Sequence, residues 1–389
     1  MKKYSFNNII SIKIFFIISL ALCPIVSIAG WLGDNFIDQN DGHLDLSNWL
    51  LEKEGFLPVP ILITEPAIGY GAGMALVYFH DKVGSKKGSP PSVSALAGAA
   101  TENGTWFVGG GHLGIWDDDN IRYTGGIGTG LIKMEYYGLS GINGLKRSRG
   151  INFEAEAVFL SQEVQFRLWE SNFFTGVSYT FVDTKNTFKL SATELTESHT
   201  TKLPGAKFDS RSAALSLMLN YDSRDNLFTP SKGIAAEIKV MDFNKTWGSD
   251  DNFNKYSASV LSYTPLNDVL VLGLRADAET IEGDAPFYSY PFIDMRGIKA
   301  MQYQGDKTLL GEVELRWAFT PRWSVVGFGG AGKAYNDDIK ENSDVIYSKG
   351  LGIRYLTASK LGLQMGVDVA KGPDDTAVYI QFGSSWSLK

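Results

Sequence analysis

Histidine is the side chain whose charge changes nearest neutral pH, and the chain has four: His43, His80, His112 and His199. His80-Asp81 closes an alternating segment, a place where a hydrolase could hold a base. No other histidine is near it in sequence, and neither a serine elbow nor a His-Glu-x-x-His zinc spacing occurs. Gly109-Gly110-Gly111 lies inside a strand pattern and reads as close backbone packing rather than a phosphate cradle. "DQNDGHLD" has the composition of a calcium loop, but Ile37 stands where the first ligand belongs, so it reads as a solvated turn. The expectation is a chain that is not an enzyme, with no metal and no cofactor.

A different chemistry is written in "SYPFIDMRGIKAMQYQGDKTLLGEVELRW", residues 289–317. Its right half alternates as a strand does: Leu309, Gly311, Val313, Leu315 and Trp317 share one face, and Leu310, Glu312, Glu314 and Arg316 the other. Its left half is a long aromatic connection with Arg296-Gly297 at the centre. A loose loop of this length carries a large ordering entropy, so a loop held inside a protein needs a pin. A guanidinium offers a planar fork of donors that stays charged, and a carboxylate is its natural acceptor. Gly297 lets the backbone turn where a side chain would collide. The alternation turns Glu314 away from Val313, Leu315 and Trp317, toward the interior.

The elements that must position these residues are strands. Residues 1–29 read as a signal peptide: Lys2, Lys3 and Lys13 precede a short apolar core, and Ser27-Ile28-Ala29 supplies small residues at a cleavage site. Cys23 is the single cysteine, so the mature chain has none and is held without disulfides. Removing three lysines and no acid takes the formal charge from −7 to −10, which argues against a nucleic-acid partner. No apolar run long enough for a membrane helix follows Ala29. Secretion, 13% aromatic residues, 42 glycines and strand-type alternation together favour an all-β transmembrane antiparallel barrel in a bacterial outer membrane.

Residues 30–67 are expected to form a periplasmic lead-in with a short helix around Leu46, Trp49 and Leu50, and Pro58, Pro60 and Pro66 to keep the rest out of the ladder. The barrel is expected over 68–389, beginning with the strand 68–80. In strand 208–222, Ala213, Leu215, Leu217, Leu219 and Tyr221 alternate with Ser212, Ser216 and Asn220. Tight connections (Asn103-Gly104, "TPLND", "FTPR") are assigned to the periplasmic end. Long ones ("DKVGSKKGSPP", 184–207, 244–252, 282–304, "NDDIKENSD") are assigned to the outside. In 151–170 the apolar phase flips near Leu160–Gln162, as at a bulge or a hairpin. A hairpin gives 16 strands, 11 before the long loop and five after it.

The final segment carries Gln381, Gly383, Trp386 and Leu388 at the polar-x-Gly-x-x-aromatic-x-apolar spacing of a C-terminal strand read by outer-membrane assembly machinery, with Lys389 trailing. Together "MRGI", "GEVE" (311–314) and "YDSRDNLFTPSKG" (221–233) resemble the BamA/TamA superfamily, also called the bacterial surface antigen family. The resemblance implies a 16-stranded barrel that inserts or moves proteins, with an Arg-Gly-aromatic/apolar tripeptide folded into the lumen. Arg296, Gly297 and Ile298 match that tripeptide, and Gly311 and Glu314 match the next strand. Asp222, Arg224, Asp225, Asn226, Pro230 and Gly233 match a periplasmic turn between two strands. Gly330 stands where the family has a second acid, so Arg296 is expected to have one carboxylate, supplemented by Glu312 or water.

The 38 residues from Gly30 to Ala67 are too few for the POTRA domains that the family's assembly and translocation members carry, so the chain is similar to a subgroup without them. The implied partners are outer-membrane lipid and lipopolysaccharide, the assembly machinery during biogenesis, and a separate periplasmic protein. Two functions remain open: an assembly or translocation barrel, with a weak seam between Gly69–Gly73 and 381–388, and a passive pore or structural barrel.

Overall fold

The computed structural model describes residues 36–38, 41–51, 55–80, 92–138, 150–189, 208–336 and 344–388. The expected signal peptide, Asp81 and His199 lie outside the described residues. Apart from a short helix α1 (Ser47–Leu51), the architecture is strand: β1 (Gly55–Ile63), β2 (Gly71–Phe79), β3 (Val93–Thr101), β4 (Trp106–Trp116), β5 (Ile121–Tyr136) and β6 (Ile151–Arg167). Then come β7 (Phe173–Lys189), β8 (Phe208–Asp222), β9 (Gly233–Phe243), β10 (Phe253–Asn267) and β11 (Leu270–Gly283). The last five are β12 (Lys307–Ala318), β13 (Trp323–Tyr335), β14 (Ile346–Ala358), β15 (Leu363–Lys371) and β16 (Thr376–Phe382). Each pairs antiparallel with the next, in one 16-stranded sheet rolled into a nearly closed barrel. No helix among the described residues is long and apolar enough to cross a membrane. Strands can cross instead, because neighbouring strands satisfy each backbone group.

Alternation sorts the two faces. On β8, Leu215, Leu217 and Leu219 are exposed outward while Ser212, Ser216 and Asn220 are buried inward. The same rule puts Leu309, Val313, Leu315 and Trp317 of β12 outside and Leu310 and Glu312 inside.

The strand count agrees with expectation through two offsetting differences. The 151–170 region is one strand, paired in unbroken register with β5 and β7, not a hairpin. The chain does not change phase there; its surroundings do. Near the loop end, Phe153 and Ala155 face inward against the long loop, with Ile151 buried on the same side, while Asn152, Glu154 and Glu156 face out. Further down, Val158, Val164 and Phe166 face out, and Glu163 faces in to reach Lys239 of β9. The missing strand is β1, in the stretch expected to be lead-in. It pairs from Gly55↔Phe79 to Ile63↔Gly71, and its prolines are tolerated because it is the sheet's first strand, with one side free of a ladder. The edge is therefore Gly55–Ile63, and Gly69–Gly73 belongs to the β1–β2 turn and β2.

Following the chain up and down assigns two ends. The long connection 284–306 leaves one, here the loop end, together with 244–252. The turn end holds 117–120, 168–172, 223–232, 268–269, 319–322 and 359–362. The first hairpins break the expected rule: Asn103-Gly104 lies at the loop end, and β2 and β3 meet the "DKVGSKKGSPP" connection at the turn end. Between β16 and β1 the described residues form no backbone ladder, and Ile380 N donates to the Thr64 hydroxyl at 3.4 Å.

A lumen lock and the family it belongs to

The connection between β11 and β12 packs inside the barrel. Ile293, Met295, Ile298 and Tyr303 bury against Leu310, Ala334 and Ile346 of the wall. Phe287 inserts among Tyr136, Phe153 and Phe188, with ring centroids 4.9–5.2 Å apart. Each aliphatic side chain buried this way contributes about 1.5–3 kcal/mol.

Arg296 sits at the centre, only 8% exposed. Its Nη2 donates to Glu314 Oε2 at 2.9 Å, and its Nη1 to Asp368 Oδ2 at 2.8 Å and Ser385 Oγ at 3.1 Å. The guanidinium lies 3.5 Å over the Phe328 ring, a desolvated cation–π contact. Asp368, fully buried on β15, also binds Arg354 of β14, at 2.5 and 2.8 Å. Two arginines and two carboxylates thus balance. The backbone is held as well: the Ser348 hydroxyl donates to Arg296 O, and Gly297 N donates to Tyr379 Oη at 2.9 Å. Gly297 has φ of 88°, and a Cβ there would meet Gly372 N at 2.9 Å. Ile298 is buried in the loop's own core.

The second carboxylate is therefore Asp368, and neither Glu312 nor the Gly330 position supplies it. Glu312 is bound instead by Arg275 of β11, whose Nη1 donates to Glu312 Oε2 at 2.7 Å and to the loop carbonyl of Asp294 at 3.1 Å. Gly330 is small for a reason: a Cβ there would meet Glu312 Cγ at 2.6 Å and Met295 Sδ at 3.0 Å. Sequence reasoning missed Asp368, although "VDV" within β15 carries the signal, an acid between outward valines. It also missed Arg275, and Asp374, which accepts from Gln302 Nε2 and Tyr303 Oη at 2.9 and 2.8 Å.

The turn 223–232 reaches across the lumen's base. Asp222 accepts from Arg224 Nε and Nη2, both at 2.9 Å, and Asp225 accepts from the backbone of Ser231 and Lys232. Asn226 Oδ1 accepts from Phe228 N and Thr229 N, and its amide donates to Leu361 O at 2.8 Å. Pro230 O accepts from Arg316 Nη2 of β12 at 2.6 Å. Gly233, at φ 109°, starts β9 where a Cβ would strike Ser223 O. Hydrogen bonds from Ser231 and Lys232 outweigh burial and hold the Asp225 carboxyl below its ordinary range.

The chain's last residues do not extend the final strand as expected. Gln381 pairs with Gly366, but β16 stops at Phe382. Gly383, at φ 73°, turns the chain inward, and Ser384 N donates to Phe228 O at 2.5 Å. Trp386 buries on Ala235, Leu261 and Tyr263 of the opposite wall, with Leu388 packed beside it. A left-handed glycine ends the ladder, and burying the indole inside favours the turn.

A second arginine cluster joins the N-terminal segment to the turn end. Arg322, before β13, donates to Asp38, Asp41 and Asp45 at 2.7, 2.5 and 2.5 Å. The acids of "DQNDGHLD" surround a guanidinium. Leu46 N donates to Thr357 O, and Lys360 N to Ser47 Oγ, docking α1 beneath β14 and β15. Burial works to raise the Asp45 carboxyl, but hydrogen bonds from Ser359, Ser47 and Arg322 outweigh it and hold the group well below the usual carboxylate range. The Arg322 hydrogen bond also lowers the Asp41 carboxyl from its ordinary value.

Comparisons give this geometry a context. BamA from Haemophilus ducreyi lacking POTRA domains 1–3 superposes with a TM-score of 0.58 at 14% identity, over 86% of this chain and 70% of that one. CdiB from Escherichia coli gives 0.56 at 12% identity, over 84% and 61%, and CdiB from Acinetobacter baumannii 0.54 at 8%, over 84% and 59%. The chain thus spans about three fifths of the CdiB proteins it matches. None of the curated proteins compared with it matches. The Omp85 superfamily domain matches residues 147–387, from the connection before β6 to the indole-bearing tail. With that match over more than half its length and the barrel to go with it, the chain belongs to the Omp85 superfamily, a family of bacterial outer-membrane β-barrel proteins.

Proposed function

We propose that the chain is an assembly or translocation barrel of the outer membrane, its long extracellular loop pinned in the lumen by Arg296. The observation that carries this reading is the buried Arg296 joined to carboxylates of β12 and β15 while, among the described residues, the neighbouring seam has no backbone ladder. A barrel fixed so firmly inside and so weakly at one edge is suited to yield there, exposing unpaired strand groups that a client strand can join. A separate periplasmic protein supplies client capture, and the turn end faces the periplasm. The passive-pore reading is less favoured, because the loop, the turn 223–232 and the tail all occupy the lumen.

The test is a disulfide across the seam, Thr64→Cys with Ile380→Cys, in a chain whose one native cysteine, Cys23, is replaced by serine. Oxidation is expected to abolish client insertion into vesicles and reduction to restore it, with the barrel folded throughout. A wide, steady ion conductance that oxidation leaves unchanged, with no client inserted in either state, would establish the pore instead.

A further inference from the structure

The outer wall of β2 to β6 carries polar side chains where lipid is expected. Outward positions on β2 run Met74, Leu76, Tyr78, and then His80. On β3, Ser94 lies next to Leu96 on the same face, and it pairs with Tyr78 on one side and His112 of β4 on the other. The Ser94 hydroxyl is 2.8 Å from His80 Nε2 and 2.8 Å from His112 Nδ1. One hydroxyl proton cannot serve both, so Ser94 donates to one imidazole and accepts from the other, leaving each ring a second nitrogen outside that contact. The rings of Tyr78, Trp116 and Tyr123 flank the cluster, 5.0–6.1 Å from the nearest imidazole. Such a group is costly in hydrocarbon but suited to the headgroup level, where aromatic belts sit. Its place at the strand ends puts it there.

Directly toward the membrane centre lies an apolar groove of about 730 Å³, bounded by Met74, Leu76, Leu96, Val108, Ile127 and Val158. Gly98 and Gly110 leave its floor without side chains. Ser94 faces His112 and Leu96 faces Gly110, so cluster and groove are separated by one two-residue step, roughly 7 Å.

We propose that this wall binds one glycerophospholipid of the leaflet at the turn end, with an acyl chain in the groove and the phosphodiester at His80, Ser94 and His112. The order of surfaces matches the amphiphile: apolar slot in the core, one imidazole N–H that the Ser94 contacts leave free at the rim, aromatic rings around it. Among the described residues no carboxylate contacts the three polar side chains, so an anionic phosphate meets no opposing charge. A client strand does not fit here, because β2 to β5 are paired on both sides and offer no free backbone groups. The inference is independent of whether the barrel assembles proteins or conducts ions, and rests on the proposed reading only in placing the turn end at the periplasm.

The test uses native mass spectrometry of the full barrel in detergent, titrated separately with dioleoyl phosphatidylethanolamine and with lipid A. Two variants probe the two halves. His80→Ala with His112→Ala removes both imidazoles and with them the free N–H. Gly98→Leu fills the slot from a position whose Cβ has its nearest neighbours at 3.5 and 3.9 Å, so it has room. Occupancy is read on the folded barrel's own mass peak. Each variant is expected to weaken phosphatidylethanolamine retention about tenfold, and the combination no more than the stronger of the two, as for one site. Retention unchanged in either variant, or lipid A held as tightly as phosphatidylethanolamine, would overturn the proposal.

Discussion

Arg296 and Arg322 are both caged by carboxylates, yet they are opposite kinds of joint. Arg296 lies in the lumen against Phe328, and Arg354 shares its Asp368, so charge is balanced and water excluded. Arg322 lies at the turn end facing three acids that reach up to 31% side-chain exposure, so the cage keeps excess negative charge in contact with solvent. Desolvation makes the first expensive to break and independent of salt, while screening makes the second adjustable. On the proposed reading, the first joint holds the loop and the second responds to its surroundings.

The sharpest way to break the contrast is Asp368→Asn. It leaves Arg296 and Arg354 facing each other inside the wall, and the expected loss is about 3–5 kcal/mol. The denaturant midpoint in detergent and protease cutting of 284–306 report it; an unchanged midpoint would refute the lumen half. Next is Gly330→Asp, which places an acid where the family resemblance led one to be expected. The new side chain collides with Glu312 and Met295, so a loss of about 1–3 kcal/mol is expected rather than a gain. The smallest effect on stability is Arg322→Ala, which is expected to free residues 38–51 to hydrogen exchange with the barrel intact. High salt should imitate it in the unmodified chain and leave the Asp368 site untouched. Asp45 and Asp41 have carboxyls lowered in the folded state, so their contribution is fully present above the ordinary carboxylate range and fades as pH falls below it. Protection of the segment should therefore persist at pH 5 and disappear in stronger acid, below about pH 3.

Much of the barrel was legible because alternation is local: Leu215, Leu217 and Leu219 announce a lipid face by themselves. What misled was the assumption that an apolar residue faces lipid everywhere. Phe153 and Ala155 are apolar because a loop occupies the lumen beside them, and no local pattern says so. Prolines 58 and 60 suggested exclusion from the sheet, but the first strand of a nearly closed barrel has a side without a partner. Arg296 and Glu314 could be paired on paper since 18 residues separate them; Asp368 stands 72 residues from Arg296, on a strand two places beyond β13, and meets it because the loop folds inward across the wall. Trp386 fits a strand period, and a single left-handed glycine sends it elsewhere. His80 and His112 looked isolated in the chain, yet two strand crossings put their rings 5.1 Å apart.

The docked N-terminal segment has a mechanical corollary. Leu51 ends α1 beneath β14 and β15, and Gly55 opens β1, leaving a tether of four residue steps that spans at most about 14 Å. While Arg322 grips its acids, the lower corner of β1 cannot travel farther than that from the last strands. Any parting of the wall must swing like a door hung at its foot, widest at the far rim.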